Sequence, residues 1–148
     1  MRMNILLVED NPADARLVRE ALAEGDVGVE LHWVSGGESA LEFLRRGAAF
    51  PAAPTPDLVL LDLNLPGLSG QEVLNEMKGD PVLRSIPVVV LTSSAAPQDI
   101  SDAYHAHANS YVVKPANFEC FIAIMAIIRS YWLTATLPAH PGQPARYG

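Results

Sequence analysis

Residues 58 to 61 read Leu-Val-Leu-Leu, an unbroken apolar run held between Asp57 and Asp62. A strand with one face in water alternates apolar and polar residues, so this run describes a strand covered on both faces. Such strands sit at the centre of parallel sheets, where each neighbour is reached through a long crossover, usually a helix. The flanking segments supply those crossovers. Residues 5–8 form an apolar strand, and Asn11-Pro12 offer a cap and a first helical position. Ala13, Leu17, Val18, Ala21 and Leu22 then share one helical face until Gly25. The pattern returns with a strand at 30–35 and a helix at 38–46 ended by Gly47. Residues 48–56 hold three prolines and read as a surface connection. Ser69-Gly70-Gln71-Glu72 matches a capping box and opens a helix through Lys78, with Gly79 as its stop. A strand at 87–91 ends on Thr92, and Pro97 opens a helix to about residue 106. A short strand at 111–113 precedes a last helix, capped by Asn117 and reaching about Leu133. Five such alternations predict an α/β fold, a doubly wound five-stranded parallel sheet in the order 2-1-3-4-5.

With 148 residues, 49% hydrophobic and 18% charged, the chain is expected to form one domain over 1–133 and a loose Pro-rich tail over 134–148. Ten basic against seventeen acidic side chains give −7, which opposes binding to a phosphate backbone and argues against nucleic acid as a partner. The single cysteine, Cys120, rules out an internal disulfide or a cysteine-based zinc site. No apolar stretch suits a secretory or membrane segment, so a cytoplasmic protein is expected.

In sheets of this kind ligands collect beyond the carboxyl ends of the strands, where strand order reverses. There the sequence places Glu9-Asp10, Asp62, Thr92 and Lys114, each just after or at the end of a strand. Three carboxylates about 4 Å apart repel by about 4 kcal/mol per pair at an effective dielectric of about 20, unless protonated or bridged by a cation. Oxygen-only ligands favour Mg²⁺, with Mn²⁺ as a substitute, and the main-chain carbonyl of Asn64 is a candidate further ligand. A cation, the Lys114 ammonium and the Thr92 hydroxyl around Asp62 suit a phosphoryl group, whose equatorial oxygens each gain a partner. Singly, each residue has a plainer reading: loop acids beside a helix N-terminus, a strand-end hydroxyl, a surface lysine. Their order, all at strand ends, carries the argument.

Val8-Glu9-Asp10-Asn11-Pro12, Leu61 to Pro66, Leu91-Thr92-Ser93 and Val113-Lys114-Pro115 resemble the receiver domains of two-component response regulators, over residues 3 to about 130. Within that family, Asp62 to Pro66, the Pro-Ala stretch before Asp57 and Tyr131 to Thr134 resemble the single-domain regulators paired with phytochrome histidine kinases. The resemblance implies a flavodoxin-like fold and a phosphoacceptor rather than a turnover enzyme. It also implies Asp62 as acceptor, Glu9 and Asp10 as metal-holding acids, Lys114 as phosphoryl contact, and Thr92 with Tyr111 as the switch. The phosphoryl donor it implies is a histidine kinase, a bacteriophytochrome. Lys114-Pro115 resembles the family's cis peptide. Two departures stand out: Ser69 where the family carries Asp or Asn, and His107 where glycine commonly ends the fourth helix in a left-handed conformation.

The last helix is apolar on every side, since only Glu119, Arg129 and Ser130 are polar between Phe118 and Leu133. One side must pack on the sheet, and the other is expected to meet a second copy of the chain. The expected homodimer contacts are Phe118, Phe121, Ile122, Met125, Ile128, Tyr131 and Trp132. An aspartate-nucleophile phosphatase of the haloacid dehalogenase type would share the nucleophile, hydroxyl, lysine and Mg²⁺. It needs a second acid two residues after the nucleophile, where this chain has Asn64.

Overall fold

The structure, a computed structural model, describes residues 2–23 and 28–132. The elements alternate strictly: β1 (Arg2–Val8), α1 (Pro12–Ala23), β2 (Gly28–Val34), α2 (Gly37–Leu44), β3 (Leu58–Leu61), α3 (Gly70–Gly79), β4 (Val88–Thr92), α4 (Pro97–His105), β5 (Ser110–Val113) and α5 (Phe118–Ser130). All strands pair in parallel in the order 2-1-3-4-5. The expected stop at Gly25, the end of the last helix at Leu133 and the tail over 134–148 lie outside the described residues.

β3 is buried at all four positions, as its unbroken apolar run requires. Leu58 and Leu60 join Ile5, Leu7, Val18, Phe121 and Met125 on the side covered by α1 and α5. Val59 and Leu61 join Leu6, Val8, Phe43, Val73 and Met77 on the other side. No helix among the described residues is long and apolar enough to cross a membrane.

Local chemistry sets the helix starts. The Asn11 side chain accepts from the main-chain N–H groups of Ala13 and Asp14, Ser69 and Glu72 complete the capping box, and Asn117 accepts from Cys120 N–H. Two helix ends depend on residues other than glycine. α2 stops earlier than expected, because Arg46 rather than Gly47 takes the left-handed turn, at φ 53°. Arg46 N–H bonds Phe43 O and Gly47 N–H bonds Glu42 O. The Arg46 guanidinium donates to Ala53 O and to the Thr55 hydroxyl, both at 2.8 Å, which ties the proline-rich connection to the helix end and offsets the turn's cost. His107, at φ 69°, ends α4 in the same way, with Ala108 N–H reaching back to Ala103 O.

The expectation of a cis bond at Lys114-Pro115 is corrected: every peptide bond among the described residues is trans. Trans is the lower-energy form of an X–Pro bond, and the Lys114 main chain is already held by its N–H bond to Thr92 O at 2.7 Å. A second correction concerns the last helix. Phe121, Met125 and Ile128 are buried against the sheet, so these three side chains are not available to a partner. The sequence offered no phase for a helix apolar all round.

Gly70 brings α3 against the end of β3. A Cβ there would overlap the Asp62 carbonyl oxygen and lie 2.6 Å from Leu63 Cα, both main-chain atoms with no room to yield. Gly70→Ala is therefore expected to lower stability by about 1–3 kcal/mol in denaturant unfolding.

Candidate functional site

Register brings the strand ends together. Val8 pairs with Leu61, so Glu9-Asp10 and Asp62 leave the sheet side by side. Thr92 pairs with Val113, so Lys114 emerges one residue beyond the hydroxyl. Glu9, Asp62 and Thr92 are the buried polar or charged side chains of the described residues, and Asp10 is exposed at the rim.

The Lys114 ammonium is the hub. It donates to Asp14 Oδ2 at 2.9 Å, to Asp62 Oδ2 at 3.0 Å and, most closely, to Glu9 Oε1. Burial alone would lower its pKa, but the bonds to Glu9, Asp14 and Asp62 outweigh burial and raise it, so the ammonium stays charged. Asp14, in the first turn of α1, had no role in the sequence reading. Its only signal there was its place among the acids that follow strand one.

One ammonium bonds three carboxylates, Glu9, Asp14 and Asp62, and Asp10 adds a fourth acid beside Glu9 and Asp62, leaving a formal excess of three negative charges. Burial, opposed by the bonds from Lys114 and from Asn11 N–H, pushes the Glu9 carboxyl from 4.5 up to about 7. The native metal-free protein therefore holds a proton that the unfolded chain has released between about pH 4.5 and 7. Metal-free stability is expected to fall as pH rises through that window, which thermal unfolding across pH 5 to pH 8 in a chelating buffer would measure.

The donor set fits a hard divalent cation. Glu9, Asp10 and Asp62 each offer a carboxylate oxygen, all within 4.8 Å of one another, with no nitrogen or sulfur among them. Asn64 follows two residues after Asp62. Its N–H donates to Asp62 Oδ1 at 3.0 Å, and its side-chain amide lies 3.5 Å from the Thr92 hydroxyl.

The hydroxyl side of the site connects to β5. Ser94 N–H lies 3.5 Å from Thr92 Oγ1, the Ser94 hydroxyl bonds Asp99, and Tyr111 donates its hydroxyl to Ser94 O at 2.9 Å. Tyr111 is half-buried, and burial, helped by the Asp99 and Asp62 charges, raises its pKa and keeps it a donor. Sequence reasoning found Thr92 and Tyr111 but not the Ser94–Asp99 link, which depends on how the loop after β4 turns. It also missed Trp33, whose indole N–H donates to Glu9 O at 2.7 Å.

Residues 5–126 match the family described as the response regulator receiver domain. The chain is 45% identical over 136 residues to the response regulator Rcp1 of Synechocystis sp., covering 91% of this chain and 92% of that one. It superimposes with a TM-score of 0.92 on the phosphorylated cyanobacterial phytochrome response regulator RcpA, at 44% identity over 95% of this chain and all of that one. The Mn²⁺-bound form of Rcp1 gives a TM-score of 0.90 at 40% identity, over 93% of this chain and 99% of that one. In this chain Glu9, Asp10 and Asp62 offer the oxygen donors that a hard divalent cation takes. The chain belongs to the response regulator receiver family and is a phosphorylation-dependent signalling switch.

Proposed function

We propose that Asp62 accepts the phosphoryl group from the phosphohistidine of a phytochrome-type histidine kinase. The observation that carries this assignment is the buried Asp62 carboxylate, 3.0 Å from Lys114 Nζ and within the cluster of metal-binding oxygens. In transfer, an Asp62 oxygen forms the new P–O bond as the P–N bond breaks, and the kinase imidazole leaves with the electron pair. Glu9, Asp10, Asp62 and the Asn64 carbonyl would hold Mg²⁺, which would supply positive charge to balance that of the phosphoryl oxygens. Lys114 moves from carboxylate partners to a phosphoryl oxygen, and Thr92 donates its hydroxyl to another. That pull on Thr92 reaches Tyr111 through Ser94, which both of them contact. The phytochrome-type donor rests on likeness to RcpA. Incubation with Mg²⁺ and acetyl phosphate tests the assignment: the intact mass is expected to rise by one phosphoryl group, and no gain would contradict it.

Two apolar flanks of α5 stay open beside its buried face, Ile127 and Tyr131 along one and Phe118 and Ile122 along the other, and the proposed partner surface is the first of them. Phe118, Ile127 and Tyr131 are exposed, Ile127 by 67%, while Ile122 and Trp132 are half-covered. A second copy of the chain is the proposed occupant, centred on Ile127. Ile127→Glu is expected to convert a dimer to a monomer in light scattering at micromolar concentration without loss of folding, since the side chain contributes little to the core. A wild-type monomer under the same conditions would end this part of the reading.

A further inference from the structure

We infer that Trp33 is a positioning residue for the metal-holding acids and that its indole senses metal occupancy. Trp33 is the penultimate residue of β2, an edge strand, and 41% of it is exposed, so core packing accounts for only part of its place there. Its ring nitrogen donates to Glu9 O at 2.7 Å, and the next residue, Val34, accepts from Glu9 N–H at 3.1 Å. The end of β2 therefore holds both polar main-chain groups of Glu9.

The carbonyl that the indole grips belongs to the peptide unit joining Glu9 to Asp10. Fixing that unit fixes the direction in which Asp10 leaves the chain, and Asp10 is the exposed member of the acid cluster. The Glu9 side chain is held independently, by Asn11 N–H and Lys114. Without the indole bond, the Glu9–Asp10 peptide would gain freedom that metal binding would have to remove. Groups that orient a ligand through a direct hydrogen bond typically change metal affinity by about 10- to 100-fold. Trp33 acts one peptide unit away from the carboxylate, so a smaller factor of about 3 to 10 is expected.

The inference rests on Glu9, Asp10 and Asp62 holding a divalent cation, and the experiment separates the two claims. Mg²⁺ is titrated calorimetrically into the full chain and into Trp33→Phe, which keeps a ring but removes the donor. In parallel, the indole N–H resonances of ¹⁵N-labelled protein are followed, with Trp33 identified by its loss in the variant and Trp132 as internal reference. Mg²⁺ affinity is expected to weaken about 3- to 10-fold in Trp33→Phe. The Trp33 resonance is expected to shift in step with metal binding in the wild type while that of Trp132 stays in place. A variant that binds Mg²⁺ as tightly as the wild type, even if it unfolds at lower temperature, makes Trp33 merely structural and overturns the inference. A stationary Trp33 resonance overturns its sensing role. A wild type that binds no Mg²⁺ overturns the metal site and the inference together.

Discussion

Asp62→Asn is expected to take up no phosphoryl group from Mg²⁺ and acetyl phosphate, while the wild type under the same conditions gains one. An amide oxygen is a poor nucleophile and would have to form a charged imidate to bond phosphorus. The substitution also removes a carboxylate from the metal set, weakening Mg²⁺ binding. The fold should survive, because Lys114 keeps Glu9 and Asp14 as partners and the amide occupies nearly the same volume. Circular dichroism of the variant checks this, so that lost acceptance is not mistaken for lost structure. A phosphoryl adduct on Asp62→Asn would place the acceptor elsewhere.

The second large effect concerns Lys114. Its side chain is 9% exposed, and its partners Glu9 and Asp62 are 2% and 7% exposed, so these charges are poorly screened by water. Lys114→Met keeps most of the stem but leaves the carboxylates without their ammonium. Breaking a buried ion pair from one side typically costs about 3–5 kcal/mol, and that loss is expected in denaturant unfolding of the metal-free variant. Two treatments should recover part of it: Mg²⁺, which supplies a replacement cation, and acidification, which protonates Glu9 more readily than in the wild type because the Lys114 bond that lowers its pKa is gone. Phosphoryl uptake should also slow by about 100-fold or more, the typical cost of removing one group that stabilises transition-state charge. A Lys114→Met variant as stable as the wild type without metal would show that water screens this cluster far more than its burial implies.

Much of this site was legible in the chain because strand ends are local signals. The apolar run before Asp62, the cap at Asn11-Pro12 and the capping box at Ser69 each depend on a few neighbouring residues. Once five strand–helix units were recognised, topology rules placed Glu9, Asp10, Asp62, Thr92 and Lys114 on one edge. Asp14 was missed because its partner Lys114 lies 100 residues away, and an acid in a first helical turn already has a sufficient explanation in the helix dipole. Trp33 was missed because an aromatic on a strand needs no further reason to be there.

Sequence pattern sufficed for the number, order and type of the elements and for the chemistry waiting at the strand ends, because periodicity and caps act over a few residues. Folding in three dimensions was needed for the phase of α5, where an all-apolar helix carries no mark of its buried face. It was needed equally for Arg46 in place of Gly47 at the end of α2, where bonds from the proline-rich connection outweigh local preference. Which carboxylates share the Lys114 ammonium, and that the Trp33 indole holds the Glu9 carbonyl, follow from the distances between strand ends, which no stretch of sequence encodes.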